Sequence, residues 1–294
     1  MKIAKIKQED RTPTGRETLA IFLVMLIFCA GIAALNMSTA IILFATGLVI
    51  CYVGGVRFRY LAAFLGVMVL VVGLLSCVVI VKMKDGEMSN IGRMDTFVKR
   101  LDYYFTSDNS ENYGDQMVLS RAAIARSGFR PAGPGKGVIK YRLPENSTDY
   151  AFASIVEETG VYVGIPLIFF YLAFFYRARE IAKKASGPFG NLLAFGIGFW
   201  LTCQALVHIG VNCDLLPSTG QTLPFVSTGG ASPLVSGMVT GILLNISKMN
   251  ALGVKTPKTP TKEEKKSCER KVCKCHCLTS TTMCPKPLKR RSQK

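Results

Sequence analysis

Three carboxylates pose the first chemical question in this chain. Asp149 stands where a polar stretch gives way to an apolar one, and Glu157 and Glu158 follow inside the apolar run. Charge inside a lipid-facing segment is costly, so such residues face a cavity or a partner and become candidate functional groups. Asp149 falls at the expected start of a helix, where open amides and the helix dipole favour a carboxylate. It therefore reads either as an N-cap or as a general base facing a membrane-bound substrate. Glu157 and Glu158 lie roughly 12–14 Å further along such a helix. Adjacent helical residues point about 100° apart, so at least one of the two must face a cavity or a cation.

Six cations precede Asp149: Arg121, Arg126, Arg130, Lys136, Lys140 and Arg142. Arg and Lys both pair with phosphate oxygens, so this set suits a diphosphate, with a solvated loop face as the plain alternative. Gly133, Gly135 and Gly137 resemble a phosphate-cradling loop, but no strand precedes them and no Walker or dinucleotide pattern follows. His208 and Asn212 are four residues apart and share a helix face. His208 reads as a hydrogen-bonded core residue. Near the C-terminus, Cys268, Cys273, Cys275, Cys277 and Cys284 surround His276, with no standard Cys-x2-Cys pair to hold zinc.

The elements that must position these groups are apolar. Mean hydropathy is +0.31 and 49% of the 294 residues are hydrophobic. The class is an all-α polytopic membrane protein. Apolar runs predict six transmembrane helices, at about 19–35, 39–56, 60–81, 151–176, 192–211 and 233–246. The last is short for a full span and is expected to begin earlier. Cys29, Cys51, Cys77 and Cys203 lie within these runs and act as small hydrophobes rather than as a disulfide framework.

Short-loop charge sets the orientation. Arg57 and Arg59, then Arg177, Arg179, Lys183 and Lys184, fall on the same side as both termini, whereas loops 36–38 and 212–232 carry no Lys or Arg. Both termini are thus expected in the cytoplasm, with a large extracytoplasmic loop over 82–150. Within that loop, residues 94–104 have the pattern of an amphipathic surface helix and 116–126 of a second short helix. The domain plan is a cytoplasmic segment 1–18, a membrane domain 19–248 and a basic tail 249–294. Residues 248–294 hold fourteen Lys and Arg against three Glu, so much of the +17 net charge lies in a tail expected to be disordered beside anionic lipid rather than on nucleic acid. The outer loop 215–232 mixes Pro217, Gly220, Pro224, Gly229 and Gly230 with apolar residues, the mark of a built segment re-entering the membrane edge.

Two long motifs and one short one resemble a known family. LPENSTDYAFASIVEETGVYVG (143–164) resembles the LPE-x-HTDFIF-x-x-x-x-EELG-x-x-G wording of the SEDS family (shape, elongation, division and sporulation). HIGVNCDLLPSTGQTLPFVSTGGAS (208–232) resembles its N-x-G-V-N…LP-x-TG-x-x-LPF-x-S-x-GG-S block, and NMSTAIILF (36–44) a motif that opens a middle helix. The match spans roughly residues 19–248, and its wording is nearer the division enzymes than the elongation enzymes.

The resemblance implies a peptidoglycan glycosyltransferase that polymerises lipid II, the undecaprenyl-diphosphate-linked disaccharide peptide, with a divalent cation (magnesium or manganese) and no organic cofactor. Asp149 falls on the family's essential aspartate and would be the base. Arg126, Lys136, Lys140 and Arg142 would hold the diphosphate. Glu145, Glu157, Glu158, Asn212 and Ser227 complete the substrate-binding candidates. The implied partners are a class B penicillin-binding protein and other division-complex proteins, at the division site of the bacterial inner membrane. Three positions depart from the family wording: Ser147 stands for its His, Thr228 for its Tyr, and Asp214 for a glycine. Ten spans are usual, so these six correspond to the last six of a ten-helix bundle, with the first four expected to be missing. A truncated scaffold of the division complex and a lipid II flippase are the alternatives.

Overall fold

The computed structural model describes residues 3–4, 13, 15–33, 36–68, 113–137 and 147–253. Among them the regular elements are all helices. The first group is α1 (Gly15–Ala33), α2 (Met37–Val53) and α3 (Phe58–Met68). Asn36 breaks the chain before α2 and caps it, its Oδ1 accepting from the Thr39 amide at 3.2 Å. Phe22 of α1 stacks on Phe64 of α3 with centroids 4.2 Å apart, over a small core of Cys51, Val56 and Leu61.

The second group is α4 (Tyr113–Ser127), α5 (Ala151–Thr159), α6 (Val161–Lys184), α7 (Pro188–Asn212) and α8 (Ser232–Ala251). Of the described helices α1, α6 and α7 are long and apolar enough to cross a membrane, and α2 and α3 are apolar but shorter. In α7 56% of the apolar window is buried, against 17% in α6 and 11% in α1. α7 is therefore the post on which its neighbours pack. Exposed side chains such as Phe28, Phe169 and Met238 mark outward faces that suit lipid.

Small residues let α6 and α7 approach closely. Ala178 and Ala182 meet Ala194, Ile197 and Leu201, and Gly198 packs directly against the Ala178 side chain. Two amides then satisfy carbonyls near the end of α6, where intrahelical donors run out. Asn191 donates to the Ala182 oxygen at 2.9 Å and Asn250 of α8 to the Ile181 oxygen at 3.0 Å.

One expected element is different. The apolar run 151–176 predicts a single span, yet the helix ends at Thr159 and restarts at Val161. Gly160 lies between them at φ +75 and ψ −176, a conformation that residues with a Cβ avoid. The segment 128–133 closes over this break. Val161 donates to the Gly128 oxygen (3.0 Å), Ala132 to the Glu157 oxygen (3.1 Å) and Gly133 to the Glu158 oxygen (3.1 Å). The helix expected over 116–126 is α4. α7 begins at Pro188, and α8 runs from Ser232 to Ala251, longer than the apolar run alone suggests. The remainder of the third run, the 94–104 helix and the cysteine-bearing tail lie outside the described residues.

Candidate functional site

The site is the start of α5 and what surrounds it. Tyr150 occupies the N-cap and makes no side-chain cap bond. The amides of Phe152 and Ala153, which an N-cap side chain ordinarily serves, find acceptors on α7 instead. Phe152 donates to Nε2 of His208 at 3.4 Å, and Ala153 donates to Oδ1 of Asn212 at 3.0 Å. The Asn212 amide nitrogen donates to the main-chain oxygens of Asp149 (3.1 Å) and His208 (2.8 Å). Because Nε2 of His208 accepts a proton, its Nδ1 carries one and donates to the Gln221 oxygen at 2.6 Å. The Gln221 side-chain nitrogen in turn donates to Oγ1 of Thr39, in the first turn of α2, at 2.8 Å.

A second layer comes from the segment after α7. Ser227 donates to the Thr148 oxygen (2.9 Å) and accepts from the Leu223 amide (2.8 Å). Tyr171 of α6 donates its hydroxyl to the Pro224 oxygen at 2.6 Å, and Gln204 of α7 donates to the Thr222 oxygen at 3.0 Å. These ties hold Phe225 at φ +67, a left-handed conformation rare for a bulky residue. The segment is thus built rather than slack. α4 covers the same region: Ser120 donates to the Asn212 oxygen (3.0 Å), and Ala123 packs with Tyr150 and Ala153.

A narrow cleft with about 20 Å³ of free space, room for roughly one water, lies between these layers and opens outward. Asp149 lines it with Gln116, His208, Ser218, Thr219 and Gln221. The Thr219 hydroxyl is buried without a hydrogen-bond partner among the described residues. Asp149 is half-buried at the wall, where a carboxylate can take or hold a proton for a ligand at the mouth of the cleft.

The other sequence candidates are distributed differently. Asn212 is fully buried with its amide engaged behind Asp149, and Ser227 is likewise buried against Thr148. Glu157 is buried, and Glu158 half-buried, at the far end of α5 beside the 128–137 segment. A Cβ at Gly137 would stand 2.9 Å from the Glu157 carboxylate oxygen. That end of the glycine loop backs onto the side chains of Glu157 and Glu158, which fill the space a phosphate would need. Arg126 and Lys136 are exposed, and no described Lys or Arg lines the Asp149 pocket. Lys140, Arg142 and Glu145 lie outside the described residues. Sequence reasoning missed Thr39, Gln116, Thr219 and Gln221 as individuals, although Thr39, Thr219 and Gln221 sit inside the motifs already singled out.

Two of the three departures from the family wording, Ser147 and Thr228, meet each other. Thr228 reaches Ser147 twice, its amide at 3.0 Å and its hydroxyl at 3.3 Å from the Ser147 oxygen. Asp214 adopts φ +60, which accounts for the glycine usual there, since Asp is among the few side-chain-bearing residues that tolerate this region. It also pairs with Arg121 of α4 at 2.8 Å.

Comparison with known proteins gives the family. A family model described as "Cell cycle protein", covering FtsW, RodA and SpoVE, matches residues 2–252. The chain is 32% identical over 215 residues to a probable peptidoglycan glycosyltransferase FtsW of Dichelobacter nodosus, covering 72% of this chain and 51% of that protein. It is 36% identical over 170 residues to the protein of that name in Bacillus subtilis, covering 57% and 41%. It thus spans about half the length of the curated relatives it matches. A structure described as "Structural coordination of polymerization and crosslinking by a peptidoglycan synthase complex" shares its fold, with TM-score 0.55 and 23% identity over 78% of this chain and 60% of that one. With the family model covering most of the chain, this protein belongs to the FtsW, RodA and SpoVE family, its sequence relatives being of the FtsW kind.

Proposed function

We propose that this protein is a peptidoglycan glycosyltransferase that polymerises lipid II during cell division, with Asp149 as general base. The observation that carries the reading is Asp149 on a pocket wall at the head of α5, with the first-turn amides served by His208 and Asn212. Relatives of this chain are named for that activity, and a structural neighbour is a peptidoglycan synthase complex. In the proposed reaction the Asp149 carboxylate takes the proton of the acceptor sugar hydroxyl. That oxygen forms a bond to the donor's anomeric carbon, the bond from that carbon to the diphosphate oxygen breaks, and undecaprenyl diphosphate leaves with the electron pair.

Among the described residues no three His, Cys, Asp or Glu side chains converge on a metal site. A hard cation suits the pocket nonetheless, because magnesium is commonly held by one carboxylate, substrate phosphates and water. Asp149, with neutral oxygens of Thr219 and Gln116, would supply the protein share. The cation would neutralise charge on the departing diphosphate.

We place the protein in the inner membrane at the division site, crossing six times with both termini cytoplasmic, beside a class B penicillin-binding protein. The test is Asp149→Asn in lipid nanodiscs supplied with lipid II and magnesium or manganese. Glycan polymer should fall about 10²–10⁴-fold, the contribution usual for a positioned base. Polymer at wild-type level would end the assignment of the base. Lipid II crossing the bilayer at unchanged rate in both proteins, with no polymer from either, would favour transport. A protein that binds the transpeptidase and yields no polymer would be a scaffold.

A further inference from the structure

We propose that His208 and Asn212 are positioning residues for Asp149: they cap α5 from a neighbouring span and so fix the direction in which its first residues project. The inference rests on the reading of Asp149 as the base and adds how that base is held.

Three observations carry it. The capping is done in trans and is complete for the amides that matter, since Phe152 and Ala153 are the second and third residues of the helix. Tyr150, at the N-cap, makes no side-chain cap bond, and α7 serves these two amides. Asn212 also grips the main-chain oxygen of Asp149 itself, so one side chain spans the turn from residue 149 to residue 153.

His208 is not an isolated contact. Its ring is held by the Gln221 carbonyl, and the Gln221 amide is held by Thr39, whose own amide is fixed by Asn36. The line therefore runs from the break before α2, through the outer segment, to the second amide of α5. Both His208 and Asn212 are almost wholly buried. Neither presents a hydrogen-bonding atom to substrate that an internal partner does not already use. Their action on the reaction is through Asp149.

The experiment uses the full chain in nanodiscs, with His208→Gln, His208→Leu and Asn212→Ala beside wild type and Asp149→Asn. Gln can accept from the Phe152 amide and donate to the Gln221 oxygen, whereas Leu only fills space. Two quantities are read: hydrogen exchange of amides in 150–156, and initial rates against lipid II concentration. Exchange there should quicken at least about tenfold in His208→Leu and Asn212→Ala, as expected when a capped turn opens locally, and stay near wild type in His208→Gln. Turnover should fall between about 10- and 100-fold in the first two, at nearly unchanged KM, because a displaced base costs rate rather than binding. Equal exchange in His208→Leu and wild type would overturn the trans cap. Faster exchange with unchanged kcat, in a protein that Asp149→Asn inactivates, would overturn the positioning role. If Asp149→Asn retains full activity, the base assignment is what has failed, and the exchange data still decide the cap.

Discussion

Substituting Gly160 by alanine tests the break that separates α5 from α6. The conformation at φ +75 and ψ −176 belongs to a region used almost only by glycine. Placing a Cβ there costs about 1–3 kcal/mol, and the upper end applies because no neighbouring allowed region keeps both helices in place. The added atom would also stand 3.1 Å from the Gly128 carbonyl oxygen and 3.4 Å from the Tyr162 ring. That carbonyl is main chain and already accepts from Val161, so it has little freedom to retreat. About 3 kcal/mol of destabilisation is expected, or a fall of about 6–12 °C in apparent unfolding temperature for a domain of this size. The assay is thermal unfolding in nanodiscs with Gly237→Ala alongside. Gly237 lies inside α8 with no atom within 4 Å of an added Cβ, so alanine there should gain up to about 1 kcal/mol. A Gly160→Ala protein melting within about 2 °C of wild type would refute the argument, since that corresponds to under about 1 kcal/mol. The break would then be set by its surroundings.

Three other outcomes follow from side-chain bonds at this end of the helices. Tyr171→Phe removes the 2.6 Å bond to the Pro224 oxygen and leaves a buried carbonyl without its donor. A loss of about 1–3 kcal/mol is expected, with easier proteolytic cutting near residues 217–230, both measured on purified protein. Arg121→Ala should cost no more than about 1 kcal/mol, because the Arg121 side chain is 66% exposed and an exposed pair contributes little. Asp214→Gly should be close to neutral in thermal unfolding: the ion pair is lost, but a strained φ is relieved.

The membrane character, the order of the apolar helices and the helix over 116–126 were legible because each rests on local pattern. The place of Asp149 just before a helix was legible because charge changes abruptly there. The break at Gly160 was not, since the apolar run continues through it and one glycine in such a run is ordinarily tolerated. The pairing of His208 with Asn212 on one face followed from their spacing, and His208 is indeed a hydrogen-bonded interior residue. What spacing could not say is which amides they would serve, because Phe152 and Ala153 are brought to them by tertiary packing alone. Gln221 and Thr39 were hidden for the same reason. The cation cluster was legible as composition but not as a site: Arg121 is turned to Asp214, and the described Arg126 and Lys136 stay in the open.

The bond between Gln221 and Thr39 joins residues 182 positions apart. A ribosome adding about 5–20 residues per second needs roughly 10–40 s to supply the second partner after the first. During that interval α2 can insert, but the support beneath the head of α5 is unfinished. His208, Asn212 and then Gln221 all emerge after Asp149, so the carboxylate is synthesised well before the frame that orients it. A nascent chain therefore cannot present a finished site until its later segments have entered the bilayer. Any delay in inserting α7 or seating the segment behind it would lengthen the time during which the head of α5 lacks its support.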